Sequence, residues 1–388
     1  MVPAGAIIAG PAEWPAPHAS TSQASAPQTQ APCAGALPGG QMPMAATTAP
    51  PPRHWPVVDR AAPFLMLYTS GTTGLPKGVP QTHANHLATY TAWAQCGLGR
   101  WDGHDQCLIA LPAFHAIGTN FALFALLQGA SVRWLREFSL PAMVDALAAG
   151  TVTRMPLVPT MVDMLTADAA IATADHRALR TIIYGGSSIT RAVLERGMRV
   201  FDCDFAQCYG ATETTAAGAS LTPQDHRLSP PPLGTCGRPM PGVAVRIMGA
   251  DGTDAAPGTV GEIWLSGPSV AAGYWNRADE TAAVFVDGWY KSGDAGLVDG
   301  DGRITIVDRT RDMMISGGEN VYPSQVEGAI ATHPAVAAVA VFGVPDARWG
   351  HRIAAAIVAA PGHCPPTLDR LRAFLDPLIA RYKHPRQL

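Results

Sequence analysis

Between residues 68 and 78 the chain reads YTSGTTGLPKG, which gathers Thr69, Ser70, Thr72 and Thr73 with Gly71, Gly74, Gly78 and Lys77. Glycines let backbone N–H groups turn toward an anion, the hydroxyls add donors, and the lysine supplies charge. Such a loop suits a polyphosphate. It is not a Walker loop, because Pro76 precedes Lys77 and Gly78 follows it where that motif needs Ser or Thr. Taken alone, a loop of this composition is more often a polar surface connection between a strand and a helix.

Other chemistry-bearing stretches follow in order. LPAFHAIG carries His115 beside an apolar run, and YGGSSI (184–189) puts Gly185, Gly186 and Ser187 after a strand. YGATETT (209–215) brings an aromatic ring, a hydroxyl and a carboxylate (Tyr209, Gly210, Thr212, Glu213) to the end of the strand FAQC. YKSGDAG (290–296) sets Asp294 in a glycine-bounded turn, and DRTRDMMISGGENVYP (308–323) holds Arg309, Arg311, Gly317 and Gly318 before a helix start. Each has a plainer reading in isolation. Glu213 suits a surface acid, Asp294 a turn former, Tyr209 a core ring, Arg309 a strand cap and His115 a packing residue.

Together, in this order, the segments resemble the signatures of the adenylate-forming superfamily, which includes acyl-CoA synthetases, luciferase-like enzymes and peptide-synthetase adenylation domains. The resemblance covers about residues 60 to 388. It implies a two-step reaction in which ATP and a carboxylic acid give an acyl-adenylate and pyrophosphate, after which a thiol, usually coenzyme A, takes the acyl group. By matching position, Thr69 to Lys77 would hold the β- and γ-phosphates, and Tyr209 would stack on adenine with Gly185 to Ser187 lining the base. Thr212 would bond the α-phosphate and Glu213 would take Mg²⁺, a hard cation suited to carboxylate. Asp294 would accept the ribose hydroxyls, and Arg309 would reach ribose or phosphate. Arg311 falls at the hinge position, where relatives usually carry Lys or Asp. Gly317 and Gly318 would line the thiol tunnel, and His115 would stand beside the acyl pocket. ISGGENVYPSQVE and WYKSGDAG resemble the fatty-acyl and aryl-acid CoA ligases rather than the peptide-synthetase domains.

The chain departs from the pattern at both ends. The family has α/β sequence ahead of the phosphate loop, where this chain has a tail rich in Pro and Ala. The family also continues past a Y-K-x-P segment, here around Lys383, to a glycine–lysine motif whose lysine reaches the carboxylate and α-phosphate. The expectation is therefore a chain truncated at both ends, by a cut gene, a misplaced start or a split enzyme with a complementing fragment. The competing reading is a catalytically defective fragment that keeps nucleotide binding. The native acid, aliphatic or aromatic, and any carrier partner are not specified by these residues.

The elements that would position these residues alternate. FLMLY (64–68), QCLIA (106–110), SVRWL (131–135), TRMPLV (153–158) and TIIYGG (181–186) read as buried strands. HANHLATYTAWAQ (83–95), NFALFALLQ (120–128), LPAMVDALAA (140–149) and TRAVLERGMRV (190–200) read as helices between them. This alternation predicts an α/β fold with a mostly parallel sheet over residues 60–230, with ligands at the carboxyl ends of its strands, after FLMLY and TIIYGG. VAVRIM, VGEIWLSG and GRITIVD, separated by Asp–Gly turns, predict a small β unit over 231–308. Residues 309–388 read as an incomplete α+β domain, with Val326/Ile330 and Leu371/Leu375/Leu378 on buried helical faces.

Residues 1–52 hold 14 Ala and 11 Pro with Glu13 as the one acidic or basic side chain apart from His18, so 1–59 is expected to be disordered. Lys plus Arg (27) against Asp plus Glu (30) leaves a net charge of −3, which argues against a nucleic-acid partner. The seven cysteines form no C-x-x-C pair, so neither a disulfide framework nor a zinc site is indicated. No apolar run is long enough for a bilayer, and the N-terminus lacks the basic lead of a secretory signal. A cytoplasmic setting is the expectation. No G-x-G-x-x-G follows a strand with an acid at the required distance, which sets aside a dinucleotide-dependent oxidoreductase.

Overall fold

The computed structural model describes residues 57–69, 75–98 and 101–388. The expected disordered segment falls almost wholly outside them, as do Ser70, Gly71, Thr72, Thr73 and Gly74.

The chain enters through an antiparallel hairpin, β1 (Pro63–Thr69) and β2 (Lys77–Thr82). Thr82 then caps helix α1 (His83–Gln95) in a reciprocal capping box with Asn85. Four α/β units follow: β3 (Gln106–Ile109) and α2 (Ala116–Leu127), β4 (Ser131–Trp134) and α3 (Leu140–Ala148), β5 (Arg154–Leu157) with α4 (Pro159–Ala167) and α5 (Ala169–Thr173), and β6 (Thr181–Gly185) with α6 (Arg191–Phe201). β7 (Asp204–Tyr209), β8 (Ala219–Leu221), the short helix α7 (Pro223–His226) and β9 (Arg238–Pro239) complete this part.

The sheet has seven strands in the order β4-β3-β5-β6-β7-β8-β9, parallel from β4 to β7 and antiparallel beyond. Its pleat sends alternate residues to two cores. Ile109 and Ile183 join Trp93, Phe121 and Phe124 on one side. Leu108, Ile182 and Tyr184 join Met143, Val162, Leu194 and Phe201 on the other. A sheet buried on both faces explains why its strands read as short continuous apolar runs.

The expected mostly parallel α/β sheet is present, with one correction. FLMLY does not belong to it: β1 pairs with β2 in a separate two-stranded sheet. Two neighbouring strands joined by a short loop pair antiparallel, and the KGVPQT stretch supplies the local partner.

The β unit contains β10 (Ala244–Met248), β11 (Gly261–Ser266), helix α8 (Ala278–Val284), β12 (Phe285–Val286), β13 (Trp289–Val298) and β14 (Ile304–Arg309). Asp294 lies inside the ten-residue strand β13, opposite Arg309 of β14, and not in a turn. Gly296 belongs to the ladder because a Cβ there would lie 2.6 Å from the Thr305 carbonyl, so this glycine reports close strand packing rather than chain reversal.

The last part has a four-stranded sheet in the order β16-β15-β18-β17, from β15 (Met314–Ser316), β16 (Glu319–Val321), β17 (Val336–Asp346) and β18 (Gly350–Ala359). Helices α9 (Pro323–Ile330) and α10 (Leu368–Leu375) cover it. Val326, Ile330, Leu371 and Leu375 are fully buried, whereas Leu378 is 50% exposed because α10 ends before it. Among the described residues no helix is long and apolar enough to cross a membrane.

Candidate functional site

β6 and β7 run side by side, with Gly185 paired to Cys208 at their carboxyl ends. A Cβ at Gly185 would sit 2.3 Å from the Cys208 carbonyl, so only glycine allows this approach. Gly186 turns away at φ +85°, with Ile117 of α2 beside it, and Ser187 follows exposed. Beyond Tyr209 the chain folds back so tightly that a Cβ at Gly210 would touch the Ala216 backbone at 2.7 Å.

This turn is pinned by four hydrogen bonds to three other segments. Gln81 Nε2 donates to the Thr212 carbonyl at 2.7 Å, Asn120 Nδ2 to the Thr215 carbonyl at 3.2 Å, and Thr215 Oγ1 to the Ser269 carbonyl at 2.8 Å. Ala271 N–H donates to the Glu213 carbonyl at 2.8 Å. Thr215 and Ala216 adopt positive φ (53° and 63°), a cost that such a web of partners sustains. The turn presents Glu213, 7% exposed, in a fixed place.

Two polar clusters flank it. Tyr209 Oη donates to Asp294 Oδ2 at 2.7 Å, and Arg309 Nη1 lies 2.8 Å from Asp294 Oδ1. Burial lifts the Asp294 carboxyl above its ordinary value. Arg309 pulls the other way but more weakly, because its side chain is 55% exposed and solvent screens it. Burial, then the Asp294 charge, raises the Tyr209 phenol well above its usual range.

On the other side, Tyr274 Oη donates to Glu213 Oε1 at 2.8 Å. Lys77 Nζ lies 4.8 Å from the centre of the Tyr274 ring and 2.9 Å from Glu280 Oε2. Burial, followed by the Glu213 charge, raises the Tyr274 phenol. Tyr274 and Glu280 were absent from the sequence reading. GYWN does carry a signal, an aromatic pair between Gly273 and Asn276, both at positive φ, but not what it touches.

The structure thus brings Lys77, Gly185, Tyr209, Glu213, Asp294 and Arg309 to the carboxyl end of the parallel strands and the adjoining edge of the β unit. Thr69, at the end of β1, pairs with Lys77 in the hairpin register. His115 caps α2 without a side-chain bond, is exposed, and lies against the Phe114 ring in a tilted pair with centroids 4.7 Å apart. Among the described residues His115 shares no hydrogen bond, ion pair or ring contact with Thr212 or Glu213. Arg311 lies in a short 3-10 turn with its guanidinium 3.7 Å from Asp312. Gly317 and Gly318 form the tip of the β15–β16 hairpin at φ +64° and +87°, and Gly317 N–H donates to the Trp349 carbonyl at 2.8 Å. That hairpin shares no hydrogen bond with the Glu213 turn. No cluster of three or more His, Cys, Asp or Glu side chains forms a metal-holding group among the described residues.

The arrangement offers an acceptor pair at Asp294, a carboxylate at Glu213 and a cation at Lys77, suited in order to a sugar, a divalent ion and phosphates. Comparison with known proteins identifies the family. The AMP-binding enzyme family model matches residues 7–275, and the AMP-binding enzyme C-terminal domain model matches 325–388. The chain is 41% identical over 325 residues to fatty acid–[acyl-carrier-protein] ligase ScoC of Streptomyces coeruleorubidus, covering 83% of this chain and 62% of that protein. Its fold superposes on the amide bond synthetase McbA from Marinactinospora thermotolerans with a TM-score of 0.75 and 33% identity, covering 83% of this chain and 64% of that one. The o-succinylbenzoate coenzyme A synthetase MenE of Bacillus subtilis, in complex with ATP and magnesium ion, gives a TM-score of 0.73 and 34% identity, covering 83% and 65%. The chain spans less than two thirds of the length of each of these relatives. With both family models matched in order along its length, this chain belongs to the AMP-binding, adenylate-forming enzymes.

Proposed function

We propose that the protein is an AMP-forming acid–thiol ligase that couples ATP to a carboxylic acid and then passes the acyl group to coenzyme A. The observation that carries this reading is the convergence of Lys77, Glu213 and the Tyr209–Asp294–Arg309 cluster, from three separate sheets, on one edge of the fold.

A carboxylate is a poor electrophile because it is anionic and would have to expel oxide; attack of its oxygen on the α-phosphorus of ATP, with loss of pyrophosphate, gives an acyl-adenylate whose leaving group is AMP. The protein's task is to hold the acid in line with the α-phosphate and to spread the charge that builds there. Asp294, an acceptor with two oxygens, suits the two ribose hydroxyls, and Arg309 lies beside it for ribose or phosphate. Tyr209, beside the glycine pair Gly185–Gly186, suits the base. Thr212 offers a hydroxyl for the α-phosphate, and Thr69 and Lys77, with the loop between them, suit the departing pyrophosphate. Glu213 fits Mg²⁺, being a hard carboxylate held in one pose by a single phenol, and when bound this ion neutralises phosphate charge. Gly317 and Gly318 suit the approach of a thin thiol arm, with Arg311 at the hinge between poses. His115, exposed at the start of α2, suits the edge of the acyl pocket. The acid is medium- or long-chain aliphatic or aromatic, and the reading places the reaction in the cytoplasm.

The test supplies purified protein with ATP, Mg²⁺, coenzyme A and a panel of fatty and aryl acids, scored for AMP. Acid-dependent AMP release supports the reading. ATP binding without AMP release for any acid would leave only the nucleotide-binding part standing.

A further inference from the structure

Tyr274 touches two groups to which the proposed function assigns different partners, Mg²⁺ for Glu213 and phosphate for Lys77. Its hydroxyl donates to Glu213 Oε1 at 2.8 Å, while its ring lies under Lys77 Nζ, 4.8 Å from the centroid. These are opposite ends of one side chain, one holding an anion and the other a cation.

The loop that carries Tyr274 is fixed rather than free. Tyr274 N–H donates to Thr281 Oγ1 at 2.9 Å, and Trp275 N–H donates to the Gly78 carbonyl at 2.8 Å, one residue past Lys77. At Gly273 the backbone passes so close to α8 that a Cβ would fall 2.3 Å from Thr281 Cγ2, and φ there is +151°. The Tyr274 ring also meets Phe285 edge-on at 5.5 Å. Its two polar contacts therefore come from an immobilised ring.

Each contact has a distinct consequence. A carboxylate that accepts a phenol hydrogen bond is held in one rotamer, with its remaining lone pairs directed elsewhere. An aromatic face orients an ammonium through its quadrupole without adding a formal negative charge to that of Glu280, 2.9 Å from Lys77 Nζ. Outer partners that orient a metal-binding carboxylate commonly matter about tenfold or more in metal affinity.

We infer that Tyr274 is a positioning residue that sets the Glu213 carboxylate for a divalent cation and the Lys77 ammonium for phosphate, so that cation and phosphate recognition are coupled through one ring. This rests on the nucleotide reading above.

The experiment is calorimetric titration of the full chain with ATP and with AMP, each at graded Mg²⁺, for the unaltered protein, Tyr274→Phe and Tyr274→Leu. Thermal unfolding is measured on the same samples. Tyr274→Phe removes the hydroxyl and keeps the ring. It should leave Mg²⁺-free ATP affinity within about twofold and raise the Mg²⁺ needed for half its effect by roughly five- to tenfold. Tyr274→Leu should show the same Mg²⁺ shift and also lower the ratio of ATP to AMP affinity, because Lys77 loses its support. An unshifted Mg²⁺ requirement in Tyr274→Phe overturns the inference alone. So does a parallel loss of all binding together with the unfolding midpoint, which a merely structural role would give. If the unaltered chain binds no ATP at any Mg²⁺ concentration, the nucleotide reading falls and the coupling falls with it.

Discussion

Asp294 and Arg309 face each other across β13 and β14, with the guanidinium 2.8 Å from one carboxylate oxygen while Tyr209 holds the other. Both oxygens of a buried acid are thus occupied by donors that a sugar could join or replace. The Asp294 carboxyl is nonetheless lifted above its ordinary value, chiefly by burial, because a half-exposed arginine does not repay the lost hydration.

If Asp294 accepts the ribose hydroxyls as proposed, that relationship gives the nucleoside affinity a pH dependence. An acceptor for ribose must be ionised, and a raised value means that protonation sets in at higher pH than for an ordinary aspartate. Adenosine affinity should therefore fall on acidification, beginning above the usual carboxylate range. Asp294→Asn should weaken binding by roughly ten- to a hundredfold and abolish that limb. Arg309→Gln, by removing the opposing cation, should move the limb to still higher pH. Adenosine is the probe because it has no phosphate to titrate in this range.

His86 gives a stability effect of known sign. It is 3% exposed against Tyr90, and burial, followed by the nearby His83, lowers it to about 4 from 6.5. The folded state favours the neutral ring, so its contribution is present above pH 6.5 and is lost as pH falls toward 4. The loss is roughly 3 kcal/mol over that window. Urea unfolding at pH 7 and pH 4.5 should show this fall, and His86→Gln should flatten it.

The hairpin tip at Gly317 tests the last part of the fold. Gly317 has φ +64°, and a Cβ would lie 2.9 Å from the Trp349 ring. Gly317→Ala should destabilise the β15–β16 region by about 1–2 kcal/mol, read by denaturant unfolding through tryptophan fluorescence. Gly318→Ala, at φ +87° with open space around it, carries the backbone cost alone and should destabilise less.

Glu280 stands 2.9 Å from Lys77 and supplies the negative charge with which a phosphate at Lys77 would compete. Glu280→Gln should raise ATP affinity by about threefold to tenfold at low salt and leave AMP affinity unchanged, measured by calorimetry.

The candidate site residues were singled out by the order of their segments rather than by residue type alone. Lys77, Tyr209, Glu213, Asp294 and Arg309 lie in segments whose order matched a family, and the strands that carry β3 to β7 were visible as apolar runs between helical patterns. What escaped depends on pairing across distance. Asp294 read as a turn residue because glycines surround it. In the structure Gly296 gives Thr305 and Ile263 room, while Asp294 itself runs in a ladder with Arg309. FLMLY read as part of the large sheet because an apolar run does not name its partner, and the local β2 strand claimed it. Leu378 fitted the helical period, yet α10 stops at Leu375 and leaves it exposed. Tyr274 was missed because its importance lies in contacts with Glu213, 61 residues away, and with Lys77. Whether Ser70 to Gly74 complete the phosphate grip lies outside the described residues.

If Lys77 and Asp294 grip opposite ends of one nucleotide, a paired calorimetric titration of ATP and AMP separates their roles. Lys77→Met should weaken ATP by about tenfold or more while sparing AMP, whereas Asp294→Asn should weaken both to the same degree. Equal losses of ATP and AMP affinity in Lys77→Met, or no effect of Asp294→Asn on either ligand, would contradict it.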